Sequence, residues 1–143
     1  MKYLFILYLL LSVSSCAADK PLYFKSYEQN NSTAIIKEIE RGTNYTLLEV
    51  DITGGSAVGG SLVIVEAAVE IGTDLQKTHF TLINEYKKGK FTYYKVFFTS
   101  DVSDDPSKVF PNKISEKKLK KHRENGYISI ETFSYIFSSL KSS

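Results

Sequence analysis

YTLLEVDI, residues Tyr45–Ile52, is followed by the glycine-rich GGSAVGGS at Gly54–Ser61, then LVIVEAAVEI at Leu62–Ile71, and then two arms, Thr78–Tyr86 and FTYYKVFFT at Phe91–Thr99. The first segment alternates. Leu48, Val50 and Ile52 share one face and Leu47, Glu49 and Asp51 the other, the period-2 signature of a half-buried strand. The two arms flank Lys87-Lys88-Gly89-Lys90, a short glycine-containing turn, and read as a β-hairpin. Phe91–Thr99 is apolar on both faces, which predicts a central strand. Between strand and hairpin, Leu62, Val65 and Val69 recur at helical spacing opposite Glu66 and Glu70. Ser61 is placed to cap this helix and Gly72 to end it, while the β-branched Val63-Ile64-Val65 run favours a helix less.

N-terminal to this stretch, Leu22–Tyr27 after Pro21 suits a short first strand, and Asn30–Thr33 is a polar break. Ile35, Ile36 and Ile39 fit either a helix ending before Gly42 or an irregular strand. C-terminal to it, Asp101–Pro106 (DVSDDP) is a polar loop and Ser115–Glu124 a lysine-rich helix candidate ending at Asn125-Gly126. Phe133, Ile136, Phe137 and Leu140 mark an amphipathic helix with Ser129 as its N-cap. These elements predict one α+β domain over residues 21–143. Its sheet, antiparallel or mixed, has about three to five strands with helices packed on one side.

A chain of 143 residues suits a single domain. With 43% hydrophobic and 24% charged residues it is able to build a core. Its 10 Tyr and 9 Phe favour sheet. A net charge of +2, from 18 basic and 16 acidic residues, argues against a dedicated nucleic-acid binder.

The first residues carry a separate message. Met1-Lys2 is a short positive region, and Tyr3–Leu11 is an apolar run too short to span a bilayer but suited to a signal peptide. Val13-Ser14-Ser15-Cys16 follows. This resembles the lipobox of bacterial lipoproteins: an aliphatic residue, two small residues and a cysteine. The resemblance implies cleavage after Ser15, lipid on Cys16, a tether at residues 16–20, and no free thiol, since Cys16 is the sole cysteine. Ala17 after the cysteine resembles the outer-membrane-sorted type, which implies a lipid-anchored protein of the cell envelope, in the outer membrane facing the periplasm. The alternative is an ordinary secretory signal cut after Ala18. The order of elements over Tyr45–Thr99, with Glu66-Ala67-Ala68-Val69-Glu70, resembles small α+β outer-membrane lipoproteins. That resemblance implies a fold type and no activity.

Catalytic, metal and cofactor signatures are weak. Gly54, Gly59 and Ser61 match a P-loop, but Gly60 stands where its lysine belongs, so the cation for the β- and γ-phosphates is missing. Aligning Gly126 with the glycine of an EF-hand loop puts Lys121 and Arg123 at ligand positions and Thr132 at the closing one, which excludes calcium there. Asp101, Asp104 and Asp105 read as turn formers more than as a cation site. His79 and His122 fall in different elements without a spacing partner, so zinc and Ser-His-Asp chemistry lack support. Glu49 and Asp51 share a strand face, as exposed acids commonly do. Asn30, Asn31 and Asn44 head N-x-S/T sequons of the kind that arise by chance. No cofactor, metal, nucleic acid or small-molecule ligand is expected.

Lys113, Lys117, Lys118, Lys120, Lys121 and Arg123 form a basic run that suits anionic headgroups or an acidic partner, or is simply a solvated helix face. The reading is a non-enzymatic, membrane-anchored envelope lipoprotein acting by protein binding, such as an accessory subunit of an envelope or secretion assembly. An immunity-type lipoprotein that neutralises a toxin and an envelope polymer hydrolase are the alternatives. Converging Glu, Asp and His side chains in a pocket would favour the hydrolase; an exposed apolar or aromatic patch would favour a protein partner.

Overall fold

The computed structural model describes residues 22–142 apart from 30, 110–114, 116, 119, 121 and 123–125. The expected α+β domain is present, and its two long helices pack on one side of the sheet. The sheet is larger than expected. Six strands, β1 (Phe24–Gln29), β2 (Ser32–Arg41), β3 (Tyr45–Thr53), β4 (His79–Lys88), β5 (Phe91–Thr99) and β6 (Ile128–Ser129), lie in the order β1-β2-β3-β5-β4-β6. Every neighbouring pair is antiparallel. Phe91–Thr99 is central, between β3 and β4, as its two apolar faces require.

Residues 32–41 resolve as a strand. Ala34, Ile36 and Glu38 are buried in alternation, and a bulge between Glu38 and Glu40 adds Ile39 as an extra residue. Ile36 is buried while Ile35 and Ile39 are 40% and 37% exposed, so the three isoleucines do not share one strand face, which is why the segment also fits a helix. Asn31, at φ 64, makes the turn that joins β1 to β2.

Helix α1 spans Ala57–Asp74 and starts earlier than expected. Its cap is Ser56, whose hydroxyl accepts from the Gly59 N–H at 3.1 Å, so Ser61 lies inside the helix. The turn before it rests on Gly54, at φ +74, where a Cβ would come within 2.7 Å of the Asn31 carbonyl oxygen. Only glycine holds that conformation with that neighbour. Gly72, expected to end the helix, lies within it. A Cβ there would come within 2.4 Å of Ile130 Cδ1 and 3.0 Å of Phe98 Cδ1. The core-facing surface also differs from the expected Leu62-Val65-Val69 stripe. Ile64, Ala67, Ala68 and Ile71 are the buried positions, with Val69 beside them, while Leu62 is exposed. The two alanines bring the helix close to the sheet, where it meets Ile36, Leu48, Val50, Phe80, Val96 and Phe98. Full burial of each large apolar side chain in this layer is worth about 1.5–3 kcal/mol.

Helix α2 spans Ile130–Lys141 and is capped by Ser129 as expected, the hydroxyl accepting from the Thr132 N–H at 3.3 Å. Only half of its apolar stripe packs. Phe133 and Phe137, one turn apart, join the core, whereas Ile136 and Leu140 are exposed. The helix lies against α1 at the margin of the layer, so one i, i+4 pair fills the contact.

Two polar clusters tie β1 to the rest. Glu38 has a fully buried side chain that accepts from Arg41 Nε at 2.7 Å, Arg41 Nη2, Thr46 Oγ1 at 2.6 Å and the Tyr23 N–H at 2.8 Å. Lys25 donates to Glu70 at 2.7 Å and pairs with Glu66 at 3.4 Å. Lys141 reaches Glu66 at 2.7 Å, and the Tyr23 hydroxyl donates to Glu70 at 2.7 Å. One network thereby spans β1, α1 and the end of α2.

Candidate functional site

Both helices occupy one face of the sheet, so the opposite face must be covered by other means or stay open. Strand register assigns its residues, because antiparallel partners point to the same side. One row crosses five strands: Phe24 pairs with Lys37, Lys37 with Glu49, Glu49 with Tyr93, and Tyr93 with Tyr86. The next row is Ser26, Ile35, Asp51 and, on the β4–β5 hairpin, Phe91 and Lys88. The row on the other side pairs Glu40 with Leu47 and Leu47 with Lys95.

This face is aromatic and apolar with charges interleaved. Phe24 is 66% exposed, Ile35 40% and Tyr86 42%. Tyr86 and Tyr93 stack, with centroids 4.8 Å apart and planes 6° from parallel. The Tyr93 hydroxyl donates to Glu49 at 2.7 Å, and that bond to a carboxylate pushes its pKa up to about 12. Lys90 pairs with Asp51 at 2.6 Å and lies 5.0 Å from the Phe91 ring centroid. Glu49 and Asp51, singled out as an acid pair, are thus engaged by a tyrosine and a lysine on an open surface.

The far end of the same face is covered. Phe97 and Ile83 are buried under Tyr45, Val109 and Tyr127. The Tyr127 hydroxyl donates to the Asp104 carbonyl at 2.6 Å. Burial, and then the nearby Asp104, Asp105 and Asp101, push its pKa up to about 12. His122 sits edge-on to Tyr127 at 4.8 Å and shares a 3.0 Å hydrogen bond with Thr81 Oγ1. His79, two residues before Thr81 on β4, points to this same face, so the histidines are nearer than their sequence separation suggests. Among the described residues no group of three or more His, Cys, Asp and Glu side chains could hold a metal ion.

The aspartate loop is a built turn. Asp101 accepts from the Ser103 N–H and Asp105 from the Ser107 N–H, both at 2.9 Å, while Asp104 accepts from the Thr99 hydroxyl. The Ser103 bonds hold Asp101 below its ordinary range. The glycine-rich turn borders a cavity of about 310 Å³ lined by Tyr27, Ser32, Ile52, Gly54 and Gly60, with no lysine among its lining residues.

Of the basic run, Lys117, Lys118 and Lys120 are helical, with Lys117 and Lys120 exposed. Lys113, Lys121 and Arg123 lie outside the described residues, as do Cys16 and the lipobox. Among the described residues no helix is long and apolar enough to cross a membrane.

The open face was missed in the sequence, although the odd-numbered positions of β5, Phe91, Tyr93 and Lys95, carried part of its signal. Comparison with family models, curated proteins and solved structures gives no match.

Proposed function

We propose that the protein is a non-enzymatic, membrane-anchored envelope lipoprotein that works by binding another envelope protein. The docking surface is the β3–β5–β4 part of the open sheet face, around Glu49, Phe91, Tyr93 and Tyr86. The observation that carries this reading is that face itself. A sheet packed on one side leaves stacked tyrosines and interleaved charges in solvent, and rigid aromatics set among adaptable polar groups are what protein-binding surfaces use. The reading also rests on the lipobox, which supplies the anchor.

The test places a photo-crosslinking amino acid at Tyr86 and, separately, at Tyr135, which is 75% exposed on α2. Both proteins are expressed in cells that carry the full signal, alongside a Cys16→Ser version. The reading expects one discrete adduct with an envelope protein from position 86 and none from 135. It also expects acyl mass on the native chain and an uncut precursor for Cys16→Ser. Equal crosslinking from both positions, or none from 86, sinks the docking surface. A product starting at Asp19 sinks the anchor. An adduct formed only when an incoming toxin is supplied would select the immunity-type role on the same surface.

A further inference from the structure

The two ends of the open face differ in composition and in distance from the anchor. At the β3–β5–β4 end the exposed residues are tyrosines and paired charges. At the β1 end the exposed residues include four large apolar ones, Phe24, then Leu22 two residues earlier at 49% exposure, with Ile35 and Ile39 on the adjoining strand, set beside exposed Ser26, Glu28 and Glu40. Ile39 is the extra residue of the β2 bulge, 37% exposed beside Leu47. Lys37, directly opposite Phe24, is the cation in this group.

Five residues, Ala17–Pro21, separate Cys16 from Leu22. Whatever conformation they take, a stretch this short reaches at most about 20 Å. The domain is wider than that: a radius of gyration of roughly 14 Å corresponds to a diameter of about 36 Å. A lipid on Cys16 therefore holds Leu22 and Phe24 close to the bilayer at high effective concentration, while Tyr86 is four inter-strand steps away, about 19 Å across the sheet. Apolar side chains held beside an interface enter it, and a neighbouring lysine reaches the headgroups with its ammonium while its stem stays apolar.

We infer that the β1 corner of the domain, Leu22 and Phe24 with Ile39 and Lys37, seats in the interfacial layer of the membrane that holds the lipid. The sheet then stands on edge and its tyrosine end is clear of the bilayer. This rests on the lipid anchor of the proposed function. It fixes which part of the open face meets lipid and which part is presented to a partner.

The chain contains no tryptophan, so Phe24→Trp and Tyr86→Trp each create a single reporter. Both positions are exposed, and far-ultraviolet circular dichroism melts verify that each variant folds like the parent. The lipidated proteins are reconstituted in phosphatidylcholine vesicles with one-third phosphatidylglycerol, with and without bromine-labelled acyl chains. Flotation and intact mass report the anchor independently of the fluorescence. The expected result is that both variants float, that F24W emits to the blue and loses emission to the brominated chains, and that Y86W does neither.

Floating protein in which F24W is quenched no more than Y86W overturns the seating and leaves the anchor intact. Equal, strong quenching of both overturns the edge-on arrangement, since the whole face would then lie on lipid. A blue-shifted but unquenched F24W shows protein covering this corner and also overturns the inference. Protein that carries no acyl mass and does not float removes the anchor, and the seating with it. As a second variant, Leu22→Ser with Phe24→Ser should still float and should double the accessibility of a Trp placed at Ile35 to an aqueous quencher, whereas unchanged accessibility counts against lipid contact.

Discussion

Replacing Arg41 with methionine isolates a carboxylate that has no contact with water. The Glu38 side chain is fully buried, and two of its four hydrogen bonds come from the Arg41 guanidinium. The other two, from Thr46 and the Tyr23 N–H, remain. Methionine keeps most of the arginine stem's packing, so the loss is chiefly electrostatic. Breaking a buried pair by removing one partner costs about 3–5 kcal/mol. Against a total stability of about 5–15 kcal/mol, that is a drop of roughly 10–20 °C in Tm, read by urea titration and thermal melting with circular dichroism. The pH dependence has a definite sign. Burial alone would raise the Glu38 pKa, but the bonds from Arg41, Thr46 and Tyr23 outweigh it and hold the carboxyl below its usual range. A depressed folded-state pKa stabilises the protein above the ordinary glutamate value of about 4.3, and that contribution drains away as pH falls through the lower folded value. In Arg41→Met burial dominates, Glu38 takes up a proton sooner, and the gap between variant and parent shrinks from pH 7 to pH 4. A loss under about 1 kcal/mol at pH 7 would refute the pairing as a stabilising element, and a gap of equal size at both pH values would refute its electrostatic origin.

Gly72→Ala should destabilise despite alanine's better helix propensity. The propensity gain is about 1 kcal/mol, whereas a methyl pressed against Ile130 and Phe98 overpacks the joint between α1, β5 and α2 at about 1–3 kcal/mol. Urea titration reads the net sign, and Gly72→Ala with Ile130→Val should recover part of the loss. Ser56→Ala removes the cap of α1 and should cost about 0.5–2 kcal/mol. Ser61→Ala in the same titration should cost less, because residue 61 lies inside the helix and not at its N-cap.

What the sequence displayed, and what it concealed, follows from the range of the interactions involved. The β4–β5 hairpin and the central place of β5 were legible because a turn glycine, at φ 62 in Gly89, and a doubly apolar strand are local signals. The caps of α1 and α2 differ for the same reason. Ser129 stands next to the residues it caps, with no competitor, and reads correctly. Ser56 is followed by Gly59 and Gly60, which look like more turn but occupy the first helical residues, so the start was displaced to Ser61. β2 was ambiguous because a buried position holds Glu38 while Ile35 and Ile39 stand at exposed ones, which hides the period of two that identifies a strand. The buried Glu38, and the network of Lys25, Glu66, Glu70 and Lys141, had no local signature, since their partners are brought together by the fold. The same holds for the row from Phe24 to Tyr86. Each member is visible in its strand, but only the register of four strand pairs puts them side by side.

That face contains its own internal comparison. At its far end, Phe97 and Ile83 are buried by Tyr45, Val109 and Tyr127, and Tyr127 is pinned by its bond to the Asp104 carbonyl. This shows how the chain closes the face when it does so: a tyrosine of β3 and, from beyond the sheet's central strands, one aromatic and one aliphatic side chain together cover a phenylalanine. Beyond that end Phe24, Ile35 and Tyr86 remain exposed, at a cost of about 25 cal/mol per Å² of apolar surface left in water. The pairing of Tyr93 with Glu49 and Lys90 with Asp51 occupies the charges locally and leaves the ring faces and aliphatic side chains to meet whatever docks. A partner that covers Tyr86 and Tyr93 recovers that apolar surface without first having to break a buried ion pair, because both pairs lie on the open face. The binding energy should therefore sit in the rings, with the charges setting register.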